Sequence, residues 1–379
     1  MLKRHLNDFV PRENCVICNG DKFKSKILLH DVPIYMGVTN LPFETDIFFE
    51  QNWIECNLCG CIQLSKLIPL SLLYSHSHNS VIGNIWHKHH FEFMKFVLKA
   101  KPENILEIGA GDGYLANLVL KNSDIKYTII EPNPEFKNDK INLIVGLVEN
   151  NFGEVFKAET IVHSHLLEHL YNPIQTLNEL SANIKIGAKL IFSIPNIRKL
   201  ISLEGGNSLN FEHTYMLDTR QLEKIMSNLG FELTIKESFL EHSYFYSFVK
   251  KNDNATQKQL IPNISDVSKD FAEMFQKLDL FVERISSSLK KSENNYIFGA
   301  HVFTQILFNR GLDPLLFKGV LDNSTDKIGK RLYGTQLIVE DPNVVGQVEK
   351  AKVVLKATHY QGEIKDQLKK INPNIYILE

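Results

Sequence analysis

The chain has no apolar run near the ~20 residues that a membrane span needs. Its first residues, Met1-Leu2-Lys3-Arg4-His5-Leu6, lack the apolar core of a signal peptide. A cytoplasmic protein with no membrane partner is expected. Excess charge is also missing: the net charge is −2, which gives no basic surface for nucleic acid. Cysteine is scarce, with five in 379 residues and none after Cys61. A disulfide framework is therefore excluded over most of the chain, and reduced thiols suited to a metal are expected. The P-loop lysine is absent too: no Gly-Lys-Ser or Gly-Lys-Thr follows the glycine-rich stretch. What remains is ordinary globular material, 44% hydrophobic and 23% charged, long enough for two or three domains.

The few cysteines are grouped. Cys15-x-x-Cys18 and Cys56-x-x-Cys59 are two knuckles, the ligand set of a closed tetrahedral zinc site. The span between them implies an inserted hairpin or loop. Four sulfurs leave no open position, so the expected zinc role is structural. Cys61 reads as a small buried residue.

Glycines are concentrated in Ile105-Leu106-Glu107-Ile108-Gly109-Ala110-Gly111-Asp112-Gly113. An apolar strand runs into G-x-G-x-G, and a helix-capable segment follows. Such a turn brings the backbone close to a nucleoside cofactor and offers free helix-start N–H groups. The dinucleotide pattern G-x-G-x-x-G is not met, because the third glycine comes one residue early. Glu107 is placed to receive an amino group. The next strand, Tyr127–Glu131, ends in an acid suited to ribose hydroxyls and is followed by Pro132. Strands and helices then alternate to Asn196, as in a doubly wound parallel α/β sheet. His163 and His165, at the end of the fourth strand, are expected to face the cofactor crevice. Glu168-His169 lies about one turn on.

Histidines crowd before this sheet: His76, His78, His87, His89 and His90. With no acid or thiol among them, they read as surface and cleft residues. After the sheet, Phe211-Glu212-His213 follows the Gly205-Gly206 loop, a pairing that suits general base work. A polar linker from Lys250 and an amphipathic helix from about Val267 to Lys291 lead to a second, smaller α/β unit with Phe298-Gly299-Ala300 at its turn. A nucleotide or sugar-phosphate contact and a purely structural role both fit that unit.

The E-x-G-x-G-x-G turn with Glu131 resembles the class I S-adenosylmethionine (SAM)-dependent methyltransferases. The order of motifs resembles, more narrowly, the three-domain sugar C-methyltransferases. These motifs are Cys56 to Leu64, Leu106 to Gly113, Leu167-Glu168-His169, Ser193-Ile194-Pro195-Asn196, Phe211-Glu212-His213, Phe298-Gly299-Ala300, and Val320 to Asn323 with Gly329-Lys330. The resemblance implies a zinc module at 1–75, a SAM domain at 76–250 and a helix plus Rossmann-like domain at 251–379. It implies SAM held around Glu107, Gly109, Gly111, Gly113, Glu131, Pro132, His163 and His165. It implies a nucleotide-linked keto-deoxysugar as substrate, with His213 as base and Glu212 as its partner. The resulting enolate takes the methyl group in line. The position of a family tyrosine falls on His76 and His78, or on Tyr74 in another register. An O- or N-methyltransferase of surface-polysaccharide assembly and a non-catalytic zinc- and SAM-binding scaffold are the competing functions.

Overall fold

Three larger sheets and two short two-stranded ones carry the chain in this computed structural model, which describes residues 4–73, 84–148, 151–204, 208–252, 260–357 and 360–379. The first sheet pairs β1 (Phe23–Pro33) with β2 (Ile47–Cys56) in antiparallel fashion, and β3 (Ile62–Leu64) lies on the far side of β2. β1 and β2 are the hairpin between the two cysteine knuckles.

The second sheet has seven strands. Its elements are α1 (Asn84–Lys99), β4 (Asn104–Ile108), α2 (Tyr114–Asn122), β5 (Lys126–Glu131), β6 (Ile141–Val145), β7 (Thr160–Ser164), α3 (Pro173–Asn183), β8 (Lys189–Pro195), α4 (Thr219–Asn228), β9 (Phe231–Phe239) and β10 (Ser243–Lys250). The order is β6-β5-β4-β7-β8-β10-β9. The first five strands are parallel, and β10 runs antiparallel between β8 and β9. The parallel strands read as continuous apolar runs because helices cover both faces. Strand order reverses between β4 and β7, and the ligand crevice of such a sheet opens there.

A long helix, α5 (Ser265–Ser288), precedes the third sheet. Its buried residues Val267, Phe271, Met274, Phe275, Leu278, Phe281, Val282 and Ile285 recur at helical spacing on one face. The third sheet is parallel, built from β11 (Asn295–Phe298), β12 (Gly319–Leu321), β13 (Val339–Glu340), β14 (Lys352–Val354) and β15 (Tyr376–Leu378), with α6 (Val302–Asn309) after β11. The first and third sheets are not independent. Trp53 of β2, Phe271 of α5 and Ile297 of β11 belong to one apolar core. Arg331 reaches back to Asp46 with two bonds of 2.7 and 2.8 Å, both side chains buried. Among the described residues no helix is long and apolar enough to cross a membrane.

Candidate active site

The glycine turn is built as its sequence requires. Gly109, Gly111 and Gly113 have φ of +72°, +55° and +69°, left-handed values that other residues adopt with strain. A Cβ on Gly113 would stand 2.7 Å from the Phe136 ring, so packing also demands glycine there. A Cβ on Gly111 would meet nothing within 4 Å: the space over the turn is open. Glu131 ends β5 beneath it. Its Oε2 accepts from the Gly111 N–H at 3.1 Å, and its Oε1 accepts from the Asn133 N–H at 2.9 Å. Pro132 is exposed beside it. Glu107 is buried, and its Oε2 accepts from the Tyr127 hydroxyl at 2.9 Å. Burial pushes its carboxyl up to about 8, so it carries a proton at neutral pH.

The two histidines of β7 part company. His163 does not open to the crevice. Its ring is buried and stacked on Phe192, with centroids 4.7 Å apart. Burial holds it down at about 3, and its ring nitrogens have no hydrogen-bond partner among the described residues. Strand alternation sends this side chain into the apolar layer against the sheet. His165, one residue past the strand, turns out of the sheet with φ +50°. Its Nδ1 lies 2.8 Å from Glu168 Oε1, and its Nε2 lies 3.1 Å from Ser243 Oγ.

Trp86, on the first turn of α1, stands edge-on to His165 at 4.8 Å and to His242 at 5.3 Å. His89 is fully buried, not at the surface, and burial holds its imidazole well below the ordinary range. His242 was not legible as a site residue. It lies in the tight turn between β9 and β10, a stretch without a glycine to single it out. His76, His78 and Tyr74 lie outside the described residues.

Two Glu-His pairs meet below this cluster. Leu167–His169 forms a single tight turn after β7. Glu212 and His213 sit in another turn, clamped by Asn210 Oδ1, which accepts from both of their N–H groups at 2.8 Å. Glu212 Oε2 stands 3.6 Å from His169 Nδ1, and the rings of His169 and His213 meet edge-on at 4.8 Å. Glu212 thus faces the imidazole of the other pair. Burial and neighbouring imidazoles hold His213 well below its ordinary range, so it is neutral. The cleft in front is lined by Glu168, Ile194, Pro195, Ser208, His213 and Met216, among others.

The first sheet positions this second turn. Leu64 N–H donates to Thr214 O, and Met216 N–H donates to Ile62 O, both at 2.9 Å. Arg12 donates to Thr214 O at 3.0 Å and to Tyr171 O at 2.9 Å. Phe211 packs on Phe49, and the Tyr215 hydroxyl donates to Leu167 O. The cysteine module therefore holds the Glu212-His213 turn through β3.

Within that module, the Sγ atoms of Cys15, Cys18, Cys56 and Cys59 all lie within 4.8 Å of one another. The Cys15–Cys59 and Cys18–Cys56 separations are 3.6 and 3.5 Å, near the ~3.8 Å tetrahedral edge of a four-thiolate zinc site. Hydrogen bonds from Cys59 and Cys61 hold the Cys15 thiol far down, whereas Cys59 itself is pushed up. Four thiolate charges need a cation, and this donor set fits zinc. Cys61 is buried outside the set of four.

Comparison with known proteins places the middle of the chain. Residues 86–235 match the family described as "Methyltransferase domain". A protein of Mycolicibacterium smegmatis, "Probable S-adenosylmethionine-dependent methyltransferase", is 23% identical over 161 residues, 40% of this chain and 60% of that relative's length. Among solved structures, the plantazolicin methyltransferase BpumL, in complex with a monoazolic desmethylPZN analog and SAH, is 17% identical with a TM-score of 0.36, covering 44% of this chain and 84% of its own. The PH0226 protein from Pyrococcus horikoshii is 14% identical with a TM-score of 0.36, covering 44% of this chain and 94% of its own. SAM, the donor that such a domain takes, fits the open space over Gly111 and the carboxylate of Glu131. Residues 86–235 match a methyltransferase domain, and the sheet to which they contribute has the class I, Rossmann-like order.

Proposed function

We propose that the protein transfers the methyl group of SAM to a carbon atom of a nucleotide-linked keto-deoxysugar. The observation that carries this reading is the meeting of two Glu-His pairs, of which Glu168 and His213 line one cleft, next to Leu166, which packs over Gly109 of the glycine turn. A methyl acceptor at carbon needs a base close to a C–H that a neighbouring keto group has acidified. Glu107, Gly109, Gly111, Gly113, Glu131, Pro132 and His165 hold the donor. Bound SAM supplies an electrophilic methyl carbon on a sulfonium. The neutral His213 imidazole takes the acidic proton, and Glu212, across His169, offsets the charge that develops. The enolate carbon forms the new C–C bond in line as the C–S bond breaks and leaves its electron pair on sulfur. Much of the rate comes from holding donor and acceptor in line. Zinc on the four cysteines has a structural part: it fixes β3, which holds the Glu212-His213 turn.

The test is an incubation with SAM and a panel of nucleotide-linked keto-sugars in deuterated water. The new methyl group is located by NMR. We expect a methyl on carbon next to the keto group, and exchange of that C–H with solvent that His213→Asn abolishes. Methylation on oxygen or nitrogen, or exchange that survives His213→Asn, overturns the reading.

A further inference from the structure

The paired turns also bring together a second set of ligand atoms outside the cysteine module. Glu168, His169 and His213 each offer one, and the three lie within 4.8 Å of one another. Glu168 is only 4% exposed. Its Oε1 is held by His165 Nδ1 at 2.8 Å, while its Oε2 is buried with no hydrogen-bond partner among the described residues. A carboxylate oxygen left without a donor in the interior is costly, and a proton or a bound cation removes that cost; with two imidazoles within 4.8 Å, a cation would find its other ligands in place. Glu212 Oε2 stands 3.6 Å from His169 Nδ1, longer than a hydrogen bond but within reach of one after a small turn of the ring, which is how a carboxylate orients a metal-ligating imidazole. No Lys or Arg lies among the described residues lining the cleft, so no built-in cation competes for the place.

We propose that Glu168, His169 and His213 form a labile site for one divalent transition-metal ion, distinct from the four-cysteine cluster, and that an ion held there switches off His213 as a base. Two imidazoles and one carboxylate suit zinc, cobalt or iron better than magnesium or calcium, which prefer oxygen ligands throughout. Small rotations of the two partly exposed imidazoles bring the three atoms to the ~3.3 Å spacing of ligands about one tetrahedral ion. Three protein ligands leave a coordination position open, so the ion can exchange, unlike one enclosed by four sulfurs. The ion takes the lone pair that His213 uses to accept a proton, and metal binding and deprotonation exclude each other. This consequence rests on the reading of His213 as the base. The binding itself does not.

The test uses full-length protein whose cysteine cluster has been filled with zinc. It is titrated with cobalt(II) in the absence of acceptor. We expect one further cobalt per chain, with visible d–d absorption and no thiolate-to-cobalt charge transfer. His169→Ala and His213→Ala should each weaken that binding by about tenfold or more. SAM affinity close to that of the parent shows that each variant is folded. No cobalt beyond the cysteine cluster, or parent-like binding in both folded variants, overturns the site. In a second arm, added zinc should stop solvent exchange of the acceptor C–H, and a mild chelator should restore it. Exchange that continues while the cobalt or zinc site is full overturns the switch, whatever the spectrum says of the site.

Discussion

Two strand–turn–helix units in this molecule are built alike and close differently. At the end of β4, the Gly111 N–H donates to the Glu131 carboxylate, which ends the neighbouring strand. At the end of β11, the Ala300 N–H donates at 2.8 Å to Asp322, which follows the neighbouring strand β12. Each turn begins on a glycine with positive φ, Gly109 at +72° and Gly299 at +105°. In the smaller unit, however, Lys327 lies 3.0 Å from Asp322 Oδ2, both groups mostly buried, and the Ser324 N–H takes Oδ1. Thr304 bonds Gly299 O at 2.6 Å and tightens the turn. In the larger unit no lysine or arginine ion pair engages Glu131 among the described residues, and the space over Gly111 stays open. Topology makes a cradle in both units. What neutralises the acid decides whether the cradle is left for a ligand.

The largest expected effect separates the two units through zinc. Stripping the metal from the four cysteines should remove on the order of 10 kcal/mol of folding free energy from the first module. The hairpin of that module shares a core with the smaller α/β unit, while the knuckle cysteines pack beside Leu106 and Ile108 in the core of the seven-stranded sheet, so protection in hydrogen exchange should fall in the smaller unit and also under β4. The glycine turn at Gly109–Gly113, held by its own backbone and by the Glu131 carboxylate, should lose less protection than the smaller unit and keep most of its SAM affinity. Loss of SAM affinity in step with zinc would break the comparison.

Next come the glycines. Gly113→Val places a branched side chain at φ +69° against the Phe136 ring and should cost ~3 kcal/mol in chemical unfolding, with weakened SAM binding. Gly299→Ala meets only Thr304 Oγ1, at 3.9 Å, and should cost ~1 kcal/mol of left-handed strain.

The acids should then exchange roles. Asp322→Asn leaves Lys327 buried without its counter-charge and should cost ~3 kcal/mol of stability at unchanged SAM affinity. Glu131→Gln should do the reverse, with small loss of stability and about tenfold weaker SAM in calorimetry. Equal effects of the two on SAM affinity would mean that both turns hold ligand.

The effect that is smallest for any one step of the experiment, because it is spread over several pH units, concerns protons. Burial raises the Glu107 carboxyl to about 8, above the ordinary value of 4.5 that the unfolded chain has. The stabilising contribution is therefore complete below about pH 4.5 and is lost as pH rises toward 8, at up to roughly 1.4 kcal/mol per pH unit. Glu107→Gln should flatten that slope. A donor ammonium beside Glu107 favours its ionised form, so SAM binding at pH 7 should release close to one proton, read by calorimetry in two buffers. No release would remove Glu107 from the amino-group contact.

Much of this was legible in the chain itself. The apolar strands, the three glycines and the acid at Glu131 are local signals, and β4 and β5 match the expected strands before Gly109 and at Tyr127–Glu131 to within a residue. The cysteine spacing foretold a four-sulfur cluster because each knuckle is a local turn. His163 misled because a histidine at a strand end has the same spelling whether its ring faces a crevice or Phe192. The burial of His89 was equally hidden, since Phe239 and Phe245, which enclose it, come from strands far along the chain.

The sequence by itself determined the alternation of strand and helix, the left-handed glycines and the two thiol knuckles. All of these depend on backbone sterics and spacing within a few residues. Only the tertiary structure decided that Glu212 faces His169, that Glu168 keeps one buried oxygen without a donor among the described residues, and that Lys327 pairs with the acid of one turn while no lysine or arginine among the described residues pairs with the acid of the other. Those outcomes depend on which distant charges and rings burial brings within a few ångströms. No local pattern carries that information.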